Sequence, residues 1–170
     1  MHVMRNTYKI VDVMKILDMG RDQLFYWFKT KKLIKPEIEG KGRGARTKFS
    51  KTNIFELAIV KELSKLGIEL NFIYEILSSK KLFGEKIISM NNVTNFLVKR
   101  YQNLEDKDKQ NEDLFLFIYK NEQNKYLLHP IFKNSEGADS IVDKRLGSAH
   151  LVINIYEIFR KIERRIGEET

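Results

Sequence analysis

The stretch Arg21-Asp22-Gln23-Leu24-Phe25-Tyr26-Trp27-Phe28-Lys29-Thr30-Lys31-Lys32-Leu33-Ile34-Lys35-Pro36 predicts a helix from about Arg21 to Lys29, with Leu24, Trp27 and Phe28 on one face. Just upstream, Ile10, Val13, Met14 and Leu17 recur at helical spacing and stop at the turn-like Asp18-Met19-Gly20. Two short helices joined by about three residues make a helix-turn-helix. Gly20 suits the N-cap of the second helix, and Asp22 in its first turn suits the positive end. Downstream, Pro36 stops regular structure, and Gly40-Lys41-Gly42-Arg43-Gly44-Ala45-Arg46 reads as the tip of a short hairpin. Leu33-Ile34 and Thr47-Lys48-Phe49 are its expected flanking strands. Ser50 or Thr52 then caps a long helix whose Ile54, Leu57, Ala58, Val60, Leu63 and Leu66 keep the period until Gly67. One more helix carries Leu70, Ile73, Ile76 and Leu77, and the polar run Ser78-Ser79-Lys80-Lys81 marks the expected boundary of a domain spanning 1–80.

Charge is concentrated in the same region. The 170 residues carry a formal net charge of +8, and residues 1–80 hold 16 Lys/Arg against 9 Asp/Glu. Residues 81–170 hold 15 against 14. Between 29 and 51, nine basic residues face only Glu37 and Glu39. Such a segment is either a solvated basic loop or the contact surface for a polyanion, where each neutralised phosphate releases a counterion. There are no cysteines, which excludes disulfides, thiolate zinc sites and a cysteine nucleophile. With 42% hydrophobic residues a folded core is expected. Met1 to Asn6 has no apolar signal core, and no run of about 18 apolar residues exists, so a soluble cytoplasmic protein is expected, with no membrane partner.

The second half reads as a linker with an amphipathic helix (81–112) and a small α+β module (113–170). Val93, Phe96, Leu97, Tyr101 and Leu104 make the helix, and the polar run from Glu105 to Glu112 ends it. Leu114 to Tyr119 and Tyr126 to Phe132 predict paired strands, with Pro130 placing the second at an edge or ending it. His150-Leu151-Val152-Ile153 is a third strand. Asn154 then caps a final helix carrying Ile155, Ile158, Phe159, Ile162 and Ile166.

Tyr8-Lys9-Ile10, Leu24-Phe25-Tyr26-Trp27, Lys32-Leu33-Ile34-Lys35-Pro36, Arg46-Thr47-Lys48-Phe49-Ser50, Ile54…Leu57 and Leu63-Ser64-Lys65-Leu66-Gly67-Ile68 follow one another in an order that resembles the N-terminal domain of the MerR family. The resemblance spans Tyr8 to Leu77. It implies a winged helix-turn-helix whose second helix enters the major groove while the wing follows the phosphate backbone. The leading residues of that helix, Arg21 and Gln23, are then candidates for base edges, since Arg pairs bidentately with guanine and Gln with adenine. Tyr26, one turn on, either reaches a phosphate or sugar or packs against the wing. Lys29, Lys31 and Lys32 are expected near the backbone, and Arg43, Arg46 and Lys48 on the wing contact phosphates. Trp27 and Phe28 are core. Three positions depart from the family: Phe25 stands where Arg is frequent, Asp18 where Gly is usual, and Thr47 where the wing has Arg, with Arg46 displaced by one.

These features lead to a sequence-specific regulator of transcription, acting on double-stranded DNA as a homodimer, with RNA polymerase as a further partner. The alternative is an architectural or excisionase-like DNA-binding protein using the same head. Either the 93–104 helix or the final helix carries dimerisation, unless the final isoleucine stripe covers the subunit's own sheet. An enzyme is not expected: His2, His129 and His150 are scattered, and the glycines at 40, 42 and 44 lack the strand-loop-helix context of a phosphate loop. No metal, cofactor or small-molecule effector is identifiable.

Overall fold

In a computed structural model of the chain, described at residues 7–40, 46–78, 81–82, 85–86, 97–120, 126–132 and 151–168, two compact units form. One comprises Met1–Gly67 with Lys161–Thr170, the other Ile68–Arg160. Among the described residues no helix is long and apolar enough to cross a membrane.

The first unit begins with β1 (Tyr8–Lys9) and α1 (Ile10–Leu17). Asp12 fixes the start of α1, because its carboxylate accepts the Lys9 backbone N–H at 2.9 Å. The helix ends where Asp18 adopts a left-handed φ of 48°. There Met19 N–H reaches Met14 O at 3.0 Å and Asp18 N–H reaches Lys15 O at 3.1 Å, which satisfies carbonyls the helix leaves open. Gly20, extended at φ −71°, is the N-cap of α2 (Arg21–Phe25), which runs on through a π-helical turn at Tyr26–Thr30. The second helix thus lies where the apolar spacing puts it. Leu24, Trp27 and Phe28 are buried, and Phe28 meets Phe49 edge-on at 5.4 Å. Val13, Ile16 and Leu17 complete the core with Ile54, Leu57 and Leu63 of α3 (Lys51–Lys65). Full burial of each such side chain is worth about 1.5–3 kcal/mol.

The wing's strand pairing differs from expectation. β2 (Lys48–Phe49) pairs antiparallel with β1, Tyr8 opposite Phe49 and Lys9 opposite Lys48, not with Leu33-Ile34. On its other side Ile38 and Lys48 exchange backbone hydrogen bonds of 3.1 and 2.9 Å. Residues 33–36 cannot extend this ladder. Lys32 turns the chain at φ 52°, Leu33 donates its N–H to Trp27 O, and Pro36 has none. Leu33 and Ile34 are buried as core side chains instead. The same unit includes the last residues of the final helix. Ile162 and Ile166 are buried, Glu163 pairs with Lys51 at 2.7 Å, and Arg165 donates to Ile16 O at 2.9 Å.

The second unit contains α4 (Leu70–Ser78), the short pair β3 (Lys81–Leu82) and β4 (Glu85–Lys86), a helical segment α5 at 97–102, and α6 (Asp106–Asn111). Residues 93–96 of the predicted amphipathic helix lie outside the described residues, and α6 forms within the polar run read as ending that helix. β5 (Leu114–Lys120), β6 (Tyr126–Phe132) and β7 (Leu151–Asn154) make an antiparallel sheet in the order β6-β5-β7. Pro130, opposite Leu116, therefore sits on an edge strand, the place its missing donor allows. Asn154 caps α7 (Ile155–Glu168): its Oδ1 accepts the Glu157 N–H at 3.1 Å and its Nδ2 donates to Asp113 at 2.8 Å. The first turns of α7 bury Ile155, Tyr156 and Phe159, with Tyr156 and Phe159 against Tyr101 at ring distances of 5.2 and 5.3 Å. Along the isoleucine stripe Ile155, Ile162 and Ile166 are buried and Ile158 is half-buried.

Candidate nucleic-acid interface

The leading end of the second helix is open to solvent. Arg21, Asp22 and Gln23 are exposed, while Leu24 behind them is fully buried. Helical periodicity explains the division, because Leu24, Trp27 and Phe28 take the inner face and leave 21–23, 26 and 29 outside. Arg21 lies along the helix with its guanidinium carbon 5.3 Å from the centre of the Phe25 ring. Phe25, a departure from the family pattern, thus serves as a platform for the neighbouring cation, an interaction worth about 0.5–1 kcal/mol at such a site. Among the described residues no carboxylate pairs with Arg21. Tyr26 is 43% exposed and carries the Lys31 ammonium 5.7 Å above its ring.

The cations divide into two groups. Lys29 is half-committed: its Nζ lies 2.8 Å from the carboxylate of Glu39 at the foot of the wing. Both side chains are exposed, so the pair contributes at most about 1 kcal/mol. Its geometric meaning is larger, since it brings the end of the second helix beside the wing's outgoing strand. Lys32 is exposed at its left-handed turn, Arg46 is exposed, and Lys48 is half-buried within β2. Arg43, with the rest of 41–45, lies outside the described residues.

Sequence reasoning missed the residue that ties these parts together. Asn53, only 7% exposed, stands one turn into α3 beneath the wing. Its Oδ1 accepts the N–H groups of both Glu37 and Ser50, each at 3.1 Å. Its Nδ2 donates to Lys35 O at 3.1 Å and to Glu56 Oε2 at 3.0 Å. Ser50 completes a capping box by accepting the Asn53 N–H at 3.2 Å. The signal was present as Ser50-Lys51-Thr52-Asn53, a serine followed three residues later by a side-chain amide. Thr47 adds a second tie across the wing, its hydroxyl accepting the Gly40 N–H at 3.3 Å.

Beneath this network Glu56 is mostly enclosed. Burial pushes its carboxyl up to about 7, against the opposing effect of the Asn53 hydrogen bond. On the far side of α3, Lys61 donates to the carbonyl oxygens of Leu17 and Asp18. An ammonium there complements the negative end of α1 and fixes the turn before the second helix. Partial burial lowers the Lys61 pKa from its usual value.

An exposed helix start, the exposed cations Lys32 and Arg46, and wing feet tied to α3 through Asn53 are features suited to phosphates and groove edges. Residues 8–80 match the sequence profile of the family described as MerR HTH family regulatory protein. No curated protein matches the chain. Proteins of the matched family are DNA-binding transcription regulators rather than enzymes. Residues 8–80 are therefore a helix-turn-helix segment similar to those of MerR-type regulators.

Proposed function

We propose that the chain is a sequence-specific regulator of transcription that binds double-stranded DNA as a homodimer, with the helix at about 21–29 in the major groove and the wing at about 40–49 on the backbone. The single observation that carries this reading is the solvent-exposed start of the second helix, Arg21 to Gln23, held over a fully buried Leu24. In this reading that bare end is the part of the helix free to meet base edges in the groove. In this reading Arg21 and Gln23 contact base edges, Tyr26 a sugar or phosphate, and Lys29, Lys31, Lys32, Arg43, Arg46 and Lys48 the phosphates. Domain limits of 1–80, 81–112 and 113–170 belong to the same proposal. The last segment is a module for dimerisation or an effector.

Two half-sites are needed because one small module buries little surface on DNA. Selection from randomised duplexes tests the proposal. The parent should enrich a short palindromic site, and Arg21→Ala or Gln23→Ala should change the preferred bases at one or two positions of each half. Enrichment of no sequence, with uniform binding to all duplexes, would overturn the reading in favour of an architectural protein.

A further inference from the structure

We infer that Asn53 is the positioning residue of the wing: its side-chain amide closes the base of the wing loop and so fixes where the wing cations meet the DNA backbone. This rests on the DNA-binding reading above. The wing leaves the core at Glu37 and returns at Ser50, and a single oxygen, Asn53 Oδ1, accepts the N–H of both feet at 3.1 Å. The two donors of the same amide go to Lys35 O and Glu56 Oε2. Two accepted and two donated bonds use the whole capacity of an asparagine side chain, and rotating the amide would oppose like groups at all four.

The surroundings give this joint its weight. Residues 35–37 belong to no strand, and Pro36 contributes no donor. Beyond the feet, the described ties across the wing are the Ile38–Lys48 bridge and the Thr47–Gly40 hydrogen bond. Neither of these attaches the wing to α3, and Asn53 makes that attachment with two hydrogen bonds to 35–37. An aspartate at 53 keeps the two acceptors and the helix cap but loses both donors, leaving its second oxygen against the Lys35 carbonyl oxygen. An alanine loses everything.

The test uses the full chain with Asn53→Asp and Asn53→Ala, read by amide hydrogen exchange and by DNA affinity at several salt concentrations. In the parent, the Glu37 and Ser50 amides should exchange at least about tenfold more slowly than in Asn53→Ala. On the selected duplex, Asn53→Asp should bind about fivefold more weakly, with the salt slope shallower by about one phosphate contact and the base preference unchanged. A purely structural role would lower the melting temperature and leave the slope of the folded fraction as in the parent, and that result overturns the inference. A fast-exchanging Glu37 amide in the parent overturns it as well, even if neither variant folds. Failure of the parent to bind any duplex, with Glu37 protected, would instead strike the DNA-binding reading and leave the wing joint standing.

Discussion

Lys32 is a non-glycine residue at φ 52°, a conformation in which its Cβ crowds the backbone at a cost of about 1 kcal/mol. The cost is tolerated because the turn directs Leu33 and Ile34 into the core and leaves the lysine exposed. Lys32→Gly should therefore raise stability by about 1 kcal/mol in denaturant melts while weakening DNA binding, so that the two readouts move in opposite directions. Glu56 shows a second local conflict. Below about pH 4.5 its carboxyl is protonated whether the chain is folded or not, and between 4.5 and about 7 only the folded protein holds the proton. The stability lost to burying this group therefore grows as pH rises and is complete above about 7. Glu56→Gln keeps an acceptor for Asn53, so it should stabilise the protein by roughly 2–3 kcal/mol at pH 8 and by nothing at pH 4. Equal gains at both pH values would mean that the carboxyl is not buried as described.

At the scale of elements, the caps decide where helices begin. Asn154 serves β7, α7 and Asp113 at once, and Asn154→Ala should cost about 1–2 kcal/mol in thermal or chemical unfolding. This cap was legible in the sequence, as were the helix-turn-helix, the edge position of Pro130 and the end of α3 at Gly67, whose φ is 81°. Each follows from a local signal: a period, a capping side chain or a missing donor. The partner of β2 was not legible, because two-residue strands carry no alternation and their pairing is decided by tertiary packing, here Phe49 against Phe28. Asn53 was missed because its bonds to 35–37 join segments distant in sequence and leave no local signal. Lys29 illustrates the same limit, since its 2.8 Å pairing with Glu39, ten residues on, carries no local signature in the sequence.

Across the whole molecule, the last helix belongs to both compact units, its first turns to one and residues from Lys161 onward to the other. In the helix-turn-helix unit its contribution is concrete. Ile162 and Ile166 are buried, and Arg165 and Lys61 together cap the end of α1, Arg165 at Ile16 O and Lys61 at Leu17 O and Asp18 O. Ile162→Ala should destabilise this unit by about 2–4 kcal/mol. The charge asymmetry completes the picture at this scale, with 16 Lys/Arg against 9 Asp/Glu in residues 1–80 and near balance beyond. A surplus of that kind is unfavourable for a folded unit on its own and becomes favourable when phosphates neutralise it. The most direct measurement is the salt dependence of DNA affinity for the parent and for a variant with Arg43, Arg46 and Lys48 changed to alanine. A protein that docks its wing on the backbone loses affinity for every duplex in that variant, and its slope of log affinity against log salt falls by about two to three phosphate contacts. Identical affinity and slope for variant and parent at every salt concentration would contradict the docking face proposed for this protein.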